Sequence, residues 1–273
     1  MVAFSNAKIN IGLQILGKRN DGFHDIQSCF YPVKLNDIIE INTQFQNSSF
    51  PIEINYSGIP INEASDNNLC IKAFKIIKND FPELPDIKIQ LHKVIPTEAG
   101  LGGGSSNATS TLKLLNNKFD LGLSEYQLSV YASQLGSDCP FFISNTPSII
   151  KGRGEIIEPL KINLEDYKIL IVKPNISVST KNAFEKIKTY NKPIDLKSAL
   201  QNPVESWSSN IFNDFEKIIF PDHPLLEDLK DLLYKQGASY ASMSGSGSSI
   251  YGIFRKDIEI DTTFPLYFSC WLN

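Results

Sequence analysis

The chain has 273 residues, 42% of them hydrophobic and 21% charged, with a formal net charge of −4. That length supports one large or two modest domains with a substantial core, and the mild acidity argues against a nucleic-acid-binding surface as its main business. No stretch reaches the length of a membrane span, residues 1–8 lack the apolar core of a signal peptide, and Cys29, Cys70, Cys139 and Cys270 form no close pair. A soluble cytoplasmic protein with reduced thiols is expected. The three histidines lie far apart in sequence and suggest no histidine metal site.

In chain order, residues 7–16 alternate as a strand, residues 37–41 read as a second, and residues 68–77 carry helical apolar spacing. Residues 87–91 alternate as a half-buried strand. They lead to the loop 96–108, Pro-Thr-Glu-Ala-Gly-Leu-Gly-Gly-Gly-Ser-Ser-Asn-Ala, and then to a helical run containing Leu112, Leu114 and Leu115. Residues 124–135 read as a helix with Ser124 at its start and Gly136 at its stop. Strands at 148–151 and 168–172 flank a polar break at 161–166. The domain boundary is set there, giving domains 1–160 and 161–273. A helix at 180–190 follows, then a stretch without a clear assignment that includes 208–215. Residues 225–237 form a helix closed by glycine, and 241–254 read as two strands joined by a Gly/Ser turn. Strands and helices mix without strict alternation, so the expected class is α+β.

The glycine loop carries the first chemical signal. Consecutive glycines allow close backbone approach and positive φ. Ser105, Ser106 and Asn107 are placed to cap the following helix, whose amino end suits phosphate. A flexible linker is the plain alternative, and the structured flanks argue against it. Two other phosphate motifs fail. Gly12 to Lys18 matches Gly-x-x-x-x-Gly-Lys, but Arg19 follows where a P-loop has Ser or Thr, and the segment coincides with a strand. Gly245-x-Gly247 lacks the third glycine of a dinucleotide fingerprint.

Three pieces survive: Lys8 with Asn10 on the first strand, the loop 96–108, and the turn 244–248. The loop resembles the second signature of the galactokinase, homoserine kinase, mevalonate kinase and phosphomevalonate kinase superfamily. There the loop wraps the phosphates of ATP, and a later Gly-rich turn closes the site. Three further segments resemble one branch, the 4-(cytidine-5′-diphospho)-2-C-methyl-D-erythritol kinases. They are Ala7-Lys-Ile-Asn-Ile-x-Leu, Gly17-Lys-Arg-x-Asp-Gly-Phe-His24-x-Ile-Gln-Ser, and Gly136-Ser-Asp138-Cys-Pro-Phe-Phe142. The glycine loop specifies only the superfamily; the Asp-Gly-Phe-His block specifies the branch.

The resemblance implies an α+β fold of two domains, ribosomal-protein-S5-domain-2-like at the amino end and ferredoxin-like at the carboxyl end, with the active site in the cleft between them. It implies ATP-dependent phosphorylation of the C2 hydroxyl of the cytidylyl substrate in non-mevalonate isoprenoid biosynthesis. The alternatives are another small-molecule kinase of the superfamily, of homoserine or mevalonate type, and a non-catalytic nucleotide-binding regulator. Expected partners are a small-molecule substrate, no nucleic acid and no membrane, in a monomer or weak homodimer. Magnesium is expected with ATP, although no carboxylate pair announces its ligands.

The roles carried over are equally explicit. Asp138 takes the hydroxyl proton, and Lys8 keeps that carboxylate ionised and stabilises developing charge. On residue evidence alone, Asp138 is a turn aspartate beside Pro140 and Lys8 a solvated strand lysine. The ATP site comprises Asn68, Lys93, Pro96, Thr97, Glu98, Ala99, Gly100, Leu101, Gly102, Gly103, Gly104, Ser105 and Ser106. Asn68 reads equally as a helix cap, and Lys93 as a surface lysine. The substrate site comprises Asn10, Phe23, His24, Thr180 and Phe184, with His24 at the pyrimidine edge and the two phenylalanines on its faces. Phe184 also reads as core, and His24 as an ordinary loop histidine. The family usually has tyrosine where Phe23 stands and a more Gly-rich stretch at 97–99; nothing is carried over beyond Phe254.

Overall fold

The computed structural model describes residues 1–43, 51–61, 67–265 and 268–272. It divides into two compact units, each built from several chain segments. The first contains Met1–Ala7, Lys34–Thr97 and Gly102–Asn145; the second contains Lys8–Val33, Glu98–Leu101 and Thr146–Asn273. The division falls inside both long amino-terminal strands, β1 (Val2–Lys18) and β2 (His24–Thr43). The sequence reading found only the centre of β1 and the end of β2. Polar residues such as Gln27, Ser28 and Asn36 interrupt the apolar alternation of β2 and conceal its length.

In the first unit, β4 (Ile87–Lys93) pairs parallel with β3 (Ile52–Gly58), Ile52 opposite Ile87, and antiparallel with the end of β2, Ile39 opposite Leu91. Successive strand side chains point to opposite faces, so Ile87, Ile89 and Leu91 turn inward together. Helix α1 (Leu69–Asp80) starts at Asn68, whose side chain accepts the Cys70 N–H at 2.8 Å. It buries Cys70, Ile71, Ala73, Phe74 and Ile77 along one stripe. Helices α2 (Gly103–Lys118) and α3 (Glu125–Leu135) complete this core, with Leu112, Leu115, Leu128 and Ala132 packed in. α3 begins with the expected Ser124, which forms a reciprocal capping box with Gln127. The four-residue α4 (Phe141–Ser144) closes the unit.

The second unit holds one end of this same six-stranded sheet, in which β1 also pairs with β2, and a separate four-stranded sheet. β5 (Ser148–Gly152) pairs antiparallel with β2, Cys29 opposite Ile149, and with β6 (Ile156–Pro159), a strand the sequence reading missed. The other sheet has the order β10–β7–β9–β8, all antiparallel: β7 is Tyr167–Pro174, β8 Tyr240–Met243, β9 Ile250–Arg255 and β10 Phe268–Leu272. β8 and β9 are the expected pair around the Gly/Ser turn. Between β7 and β8 lie α5 (Thr180–Glu185), α6 (Leu196–Ala199), a 3-10 helix (Val204–Ser209), α7 (Glu216–Ile219) and α8 (Pro224–Lys235). Leu226, Leu229 and Leu233 of α8 pack with Leu170, Val172, Ala241 and Phe254, and with Leu13 and Ile15 of β1.

Helix α5 ends five residues earlier than its spacing predicts. Ile187 N–H donates to Phe184 O in a tight last turn, and the following Thr-Tyr-Asn-Lys-Pro is poor in helix formers. Together the units form the α+β architecture expected. Among the described residues no helix is long and apolar enough to cross a membrane.

Candidate active site

Period two puts Lys8 and Asn10 on the same side of β1. Lys8 is 3% exposed, not the solvated lysine of the residue-only alternative. Its ammonium donates to Asn10 Oδ1 at 2.6 Å and Gly100 O at 3.1 Å, and it stands 4.4 Å from the centre of the Phe30 ring. Asn10 is gripped on every polar atom. Its N–H donates to Ser244 Oγ at 3.1 Å, its Nδ2 to Ser28 Oγ at 2.9 Å, and its carbonyl accepts from the Tyr251 hydroxyl at 2.7 Å. Ser244 Oγ in turn donates to Gly100 O at 2.8 Å. The backbone adds Lys8 N to Leu101 O at 2.9 Å and Ser249 N to Ala99 O at 3.3 Å. Residues 98–101 of the loop therefore meet Lys8, Asn10 and the Gly/Ser turn within the second unit.

Gly100 makes this junction possible. Its φ is +73°, and a Cβ there would fall 1.9 Å from Ser244 O, so no side chain fits. Gly12, the false P-loop glycine, is instead a positive-φ residue inside β1, where a Cβ would lie 2.7 Å from Ile211 Cγ2. Nearby, Glu98 accepts a hydrogen bond from the Ser177 hydroxyl. Thr180 opens α5 and shares a 2.7 Å hydrogen bond with Ser246 Oγ.

Among the aromatic residues of the expected substrate site, His24 and Phe184 stand together. His24 stacks on Phe184 with ring centres 4.9 Å apart and planes 19° apart. Phe184 meets Phe215 edge-on at 4.9 Å, so it serves the core as well as the histidine. Tyr190, which sequence reasoning passed over, lies 6.3 Å from His24. Phe23 is exposed, with the Arg153 guanidinium 4.9 Å above its ring. His24 therefore takes the face of Phe184, and Phe23 presents a separate platform. Burial, reinforced by Lys18, pulls the His24 imidazole below its ordinary pKa.

In the first unit, α2 begins at Gly103 with Gly102 as its cap at φ +69° and no side-chain cap. Ser105, Ser106 and Asn107 thus lie inside the helix and do not cap it. The amino-terminal N–H groups of the helix remain available to a ligand. A Cβ on Gly103 would come within 2.8 Å of Ile95 Cγ2. Asn107 instead bonds to both members of a buried ion pair. Its Nδ2 donates to Asp37 Oδ2 at 2.9 Å and its Oδ1 accepts from Lys93 Nζ at 3.1 Å. Lys93 follows Leu91 on the inward face of β4, is 3% exposed, and pairs with the fully buried Asp37. It is not a surface lysine. Asp37 also accepts the N–H groups of Val94 and Ile95 at 2.7 and 2.8 Å, just ahead of Pro96 and Thr97. Sequence reasoning missed Asp37, although it alternates in phase with the buried Ile39 and Ile41.

Asn68 is the cap of α1 and is 8% exposed. Asp138 lies half-buried in the turn after Gly136. That turn is tied to α2 by Thr109 Oγ1 donating to Cys139 O at 2.9 Å. Burial pushes the Cys139 thiol up to about 12, so the neighbouring cysteine is no nucleophile. Ser28, Tyr251 and Asn213 carried no recognisable signal, because a lone polar residue in an apolar strand or loop reads as solvent-facing. Among the described residues no three His, Cys, Asp or Glu side chains gather to hold a metal ion.

The first unit carries a glycine-started helix beside a half-buried aspartate, and the second a buried lysine held by an asparagine, residue types that phosphoryl transfer uses. The family comparison agrees: the N-terminal domain of the GHMP kinases matches residues 68–146, and their C-terminal domain matches residues 196–262. The chain is 46% identical to 4-diphosphocytidyl-2-C-methyl-D-erythritol kinase of Bacteroides thetaiotaomicron over 96% of this chain and 95% of the relative. It is also 46% identical to the enzyme of the same name from Azobacteroides pseudotrichonymphae, over 97% of each chain. A crystal structure of 4-(cytidine 5′-diphospho)-2C-methyl-D-erythritol kinase matches with a TM-score of 0.78 at 25% identity, covering 93% of this chain and 90% of that one. The chain belongs to the 4-diphosphocytidyl-2-C-methyl-D-erythritol kinase family of GHMP kinases.

Proposed function

We propose that this chain transfers the γ-phosphoryl group of ATP to the C2 hydroxyl of 4-(cytidine-5′-diphospho)-2-C-methyl-D-erythritol, as a cytoplasmic step of non-mevalonate isoprenoid biosynthesis. The observation that carries the reading is the buried Lys8 ammonium fixed by Asn10 and Gly100 beside the Gly/Ser turn. A cation held rigidly out of water stabilises developing negative charge far better than a mobile surface lysine.

Asp138 is assigned as the base. An alcohol is too weak an acid to ionise beforehand, so its proton passes to the Asp138 carboxylate as the new O–P bond forms. The bond from the γ-phosphorus to the bridging oxygen breaks at the same time, and ADP leaves. Lys8 is assigned to the charge on the transferring group. The N–H groups at the start of α2, with Ser105 and Ser106, are assigned to the phosphates of ATP, together with residues 96–104. Lys93 supports the same region from behind through Asp37 and Asn107. Asn68 is assigned to the adenine side.

Asn10 and Thr180 are assigned to the substrate's polar groups, and His24, Phe184 and Phe23 to its cytosine. A neutral imidazole offers one N–H and one lone pair to a pyrimidine edge. A magnesium ion would come with the nucleotide, held through the phosphates that residues 96–106 are assigned to bind. When bound, that ion neutralises charge on the β- and γ-phosphates. The domains at 1–160 and 161–273 and a monomeric or weakly dimeric state belong to the same proposal.

Purified protein supplied with ATP, magnesium and in turn the cytidylyl substrate, homoserine and mevalonate tests it. The expected result is a phosphomonoester on the cytidylyl substrate, seen by phosphorus NMR. Turnover of homoserine or mevalonate alone overturns the assignment.

A further inference from the structure

Asn213 precedes α7 in the stretch that the sequence left unassigned, and it is 2% exposed. Its Nδ2 donates to two carbonyls, Met243 O and Gly245 O, each at 2.8 Å. Its Oδ1 accepts the Phe215 N–H at 3.0 Å. The two carbonyls belong to the residues on either side of Ser244. A carboxamide has two donor hydrogens and a separate acceptor, and all three are used here. Aspartate has the same shape but would set a carboxylate against two carbonyl oxygens.

The residue is anchored as firmly as the turn it holds. Asn213 forms a parallel bridge with Leu13 of β1, with Leu13 N donating to Phe212 O at 2.9 Å and Asp214 N to Leu13 O at 2.8 Å. It thus joins β1, three residues beyond Asn10, to the Gly/Ser turn. Gly245, whose carbonyl it binds, has φ +57°, and a Cβ there would lie 3.3 Å from Gly100 Cα. The turn has no slack on that side.

We propose that Asn213 is a positioning residue for phosphoryl transfer. By fixing the Met243–Ser244 and Gly245–Ser246 peptides, it aims the serine hydroxyl so that it accepts the Asn10 N–H and donates to Gly100 O. Asn10 Oδ1 and Gly100 O both accept from the Lys8 ammonium. Asn213 therefore acts on Lys8 through Ser244 and touches no reacting atom. This inference rests on the kinase reading above.

A double-mutant cycle tests it, with Asn213→Ala, Ser244→Ala and the double variant, reading kcat, both KM values and Tm. Misplacing a catalytic group by about 1 Å costs roughly a hundredfold, so kcat in each single variant falls between about tenfold and a hundredfold. Because one residue acts through the other, the double variant stays within about twofold of Ser244→Ala. Losses that multiply, or a lowered Tm with kcat intact, overturn the proposal. If Asn213→Ala does not fold, Asn213→Ser, which keeps one donor, gives an intermediate kcat; a wild-type kcat there overturns it equally. The cycle is read on whichever alcohol the wild-type enzyme phosphorylates. A wrong substrate assignment is thereby distinguished from a wrong assignment of Asn213.

Discussion

The Lys8 ammonium lies 2.6 Å from Asn10 Oδ1, two residues further along the same strand. A lysine side chain is normally free to sample many rotamers, and ordering it costs up to about 2 kcal/mol. Here β1 sets both Cα positions, Asn10 is itself held by Ser28, Ser244 and Tyr251, and Gly100 O fixes a second direction. The cost of orientation is met during folding, before any substrate arrives.

Loss of that charge should therefore appear in turnover. Lys8→Met keeps the length and apolar stem of the side chain but removes the cation. We expect kcat to fall about 10²- to 10³-fold, with the KM for ATP changed much less. Asp138→Asn should lower kcat about 10²- to 10⁴-fold while ATP-analogue binding, measured by calorimetry, stays unchanged. Wild-type turnover in either variant removes that residue from the chemistry.

The His24 imidazole should impose an acid limit on substrate binding. Its pKa lies below the ordinary 6.5 because burial, and then Lys18, disfavour the charged ring. It consequently remains neutral as pH falls through 6.5 and takes up a proton only in more acid solution. The KM for the cytidylyl substrate should be flat from neutral pH down to that point and then rise, while the KM for ATP stays level. His24→Ala should raise the substrate KM far more than the KM for ATP and remove its acid rise. Equal effects on both KM values would make His24 a purely structural residue.

Two glycines of one loop should respond oppositely to alanine. At Gly100 the positive φ and the contact with Ser244 O exclude a Cβ, so Gly100→Ala should destabilise the fold by at least about 2 kcal/mol in urea unfolding. Gly104 is exposed in the first turn of α2, and a Cβ there would meet only Leu69 Cδ1 at 3.9 Å. Gly104→Ala should leave stability equal or raised by up to about 1 kcal/mol. If phosphate approaches that backbone, the KM for ATP rises nonetheless.

Asp37 should matter to stability first. Asp37→Asn removes the counter-charge of Lys93 and leaves a buried ammonium uncompensated, at a cost of about 3–5 kcal/mol. Urea unfolding of the single variant and of Asp37→Asn with Lys93→Met measures it. The paired substitution should recover much of the loss.

Much of the fold was legible locally. The Ser124 cap, the Gly237 stop after α8, the strand pair around the Gly/Ser turn and the Asn68 helix start each depend on residues within one or two turns. The α5 overrun and the truncated reading of β2 show where this fails, because neither apolar spacing nor its interruption by polar residues fixes where an element ends. The stacking of His24 on Phe184 was illegible for another reason. The two residues are 160 positions apart, and nothing in either neighbourhood sets the angle between the rings.

By itself the sequence determined the chemistry present: a glycine-opened helix, a strand lysine, a turn aspartate and a histidine block, together resembling one kinase branch. Only the tertiary structure decided which polar groups leave water and which partners they find there. Lys8 reads as a solvated strand lysine and Lys93 as a surface lysine, yet both are buried, one held by Asn10 and a glycine carbonyl and the other by Asp37 and Asn107. Local sequence fixes backbone preference and the period of the side chains. Burial depends on what packs against that face from elsewhere in the chain, and it is burial that turns a lysine into a fixed charge.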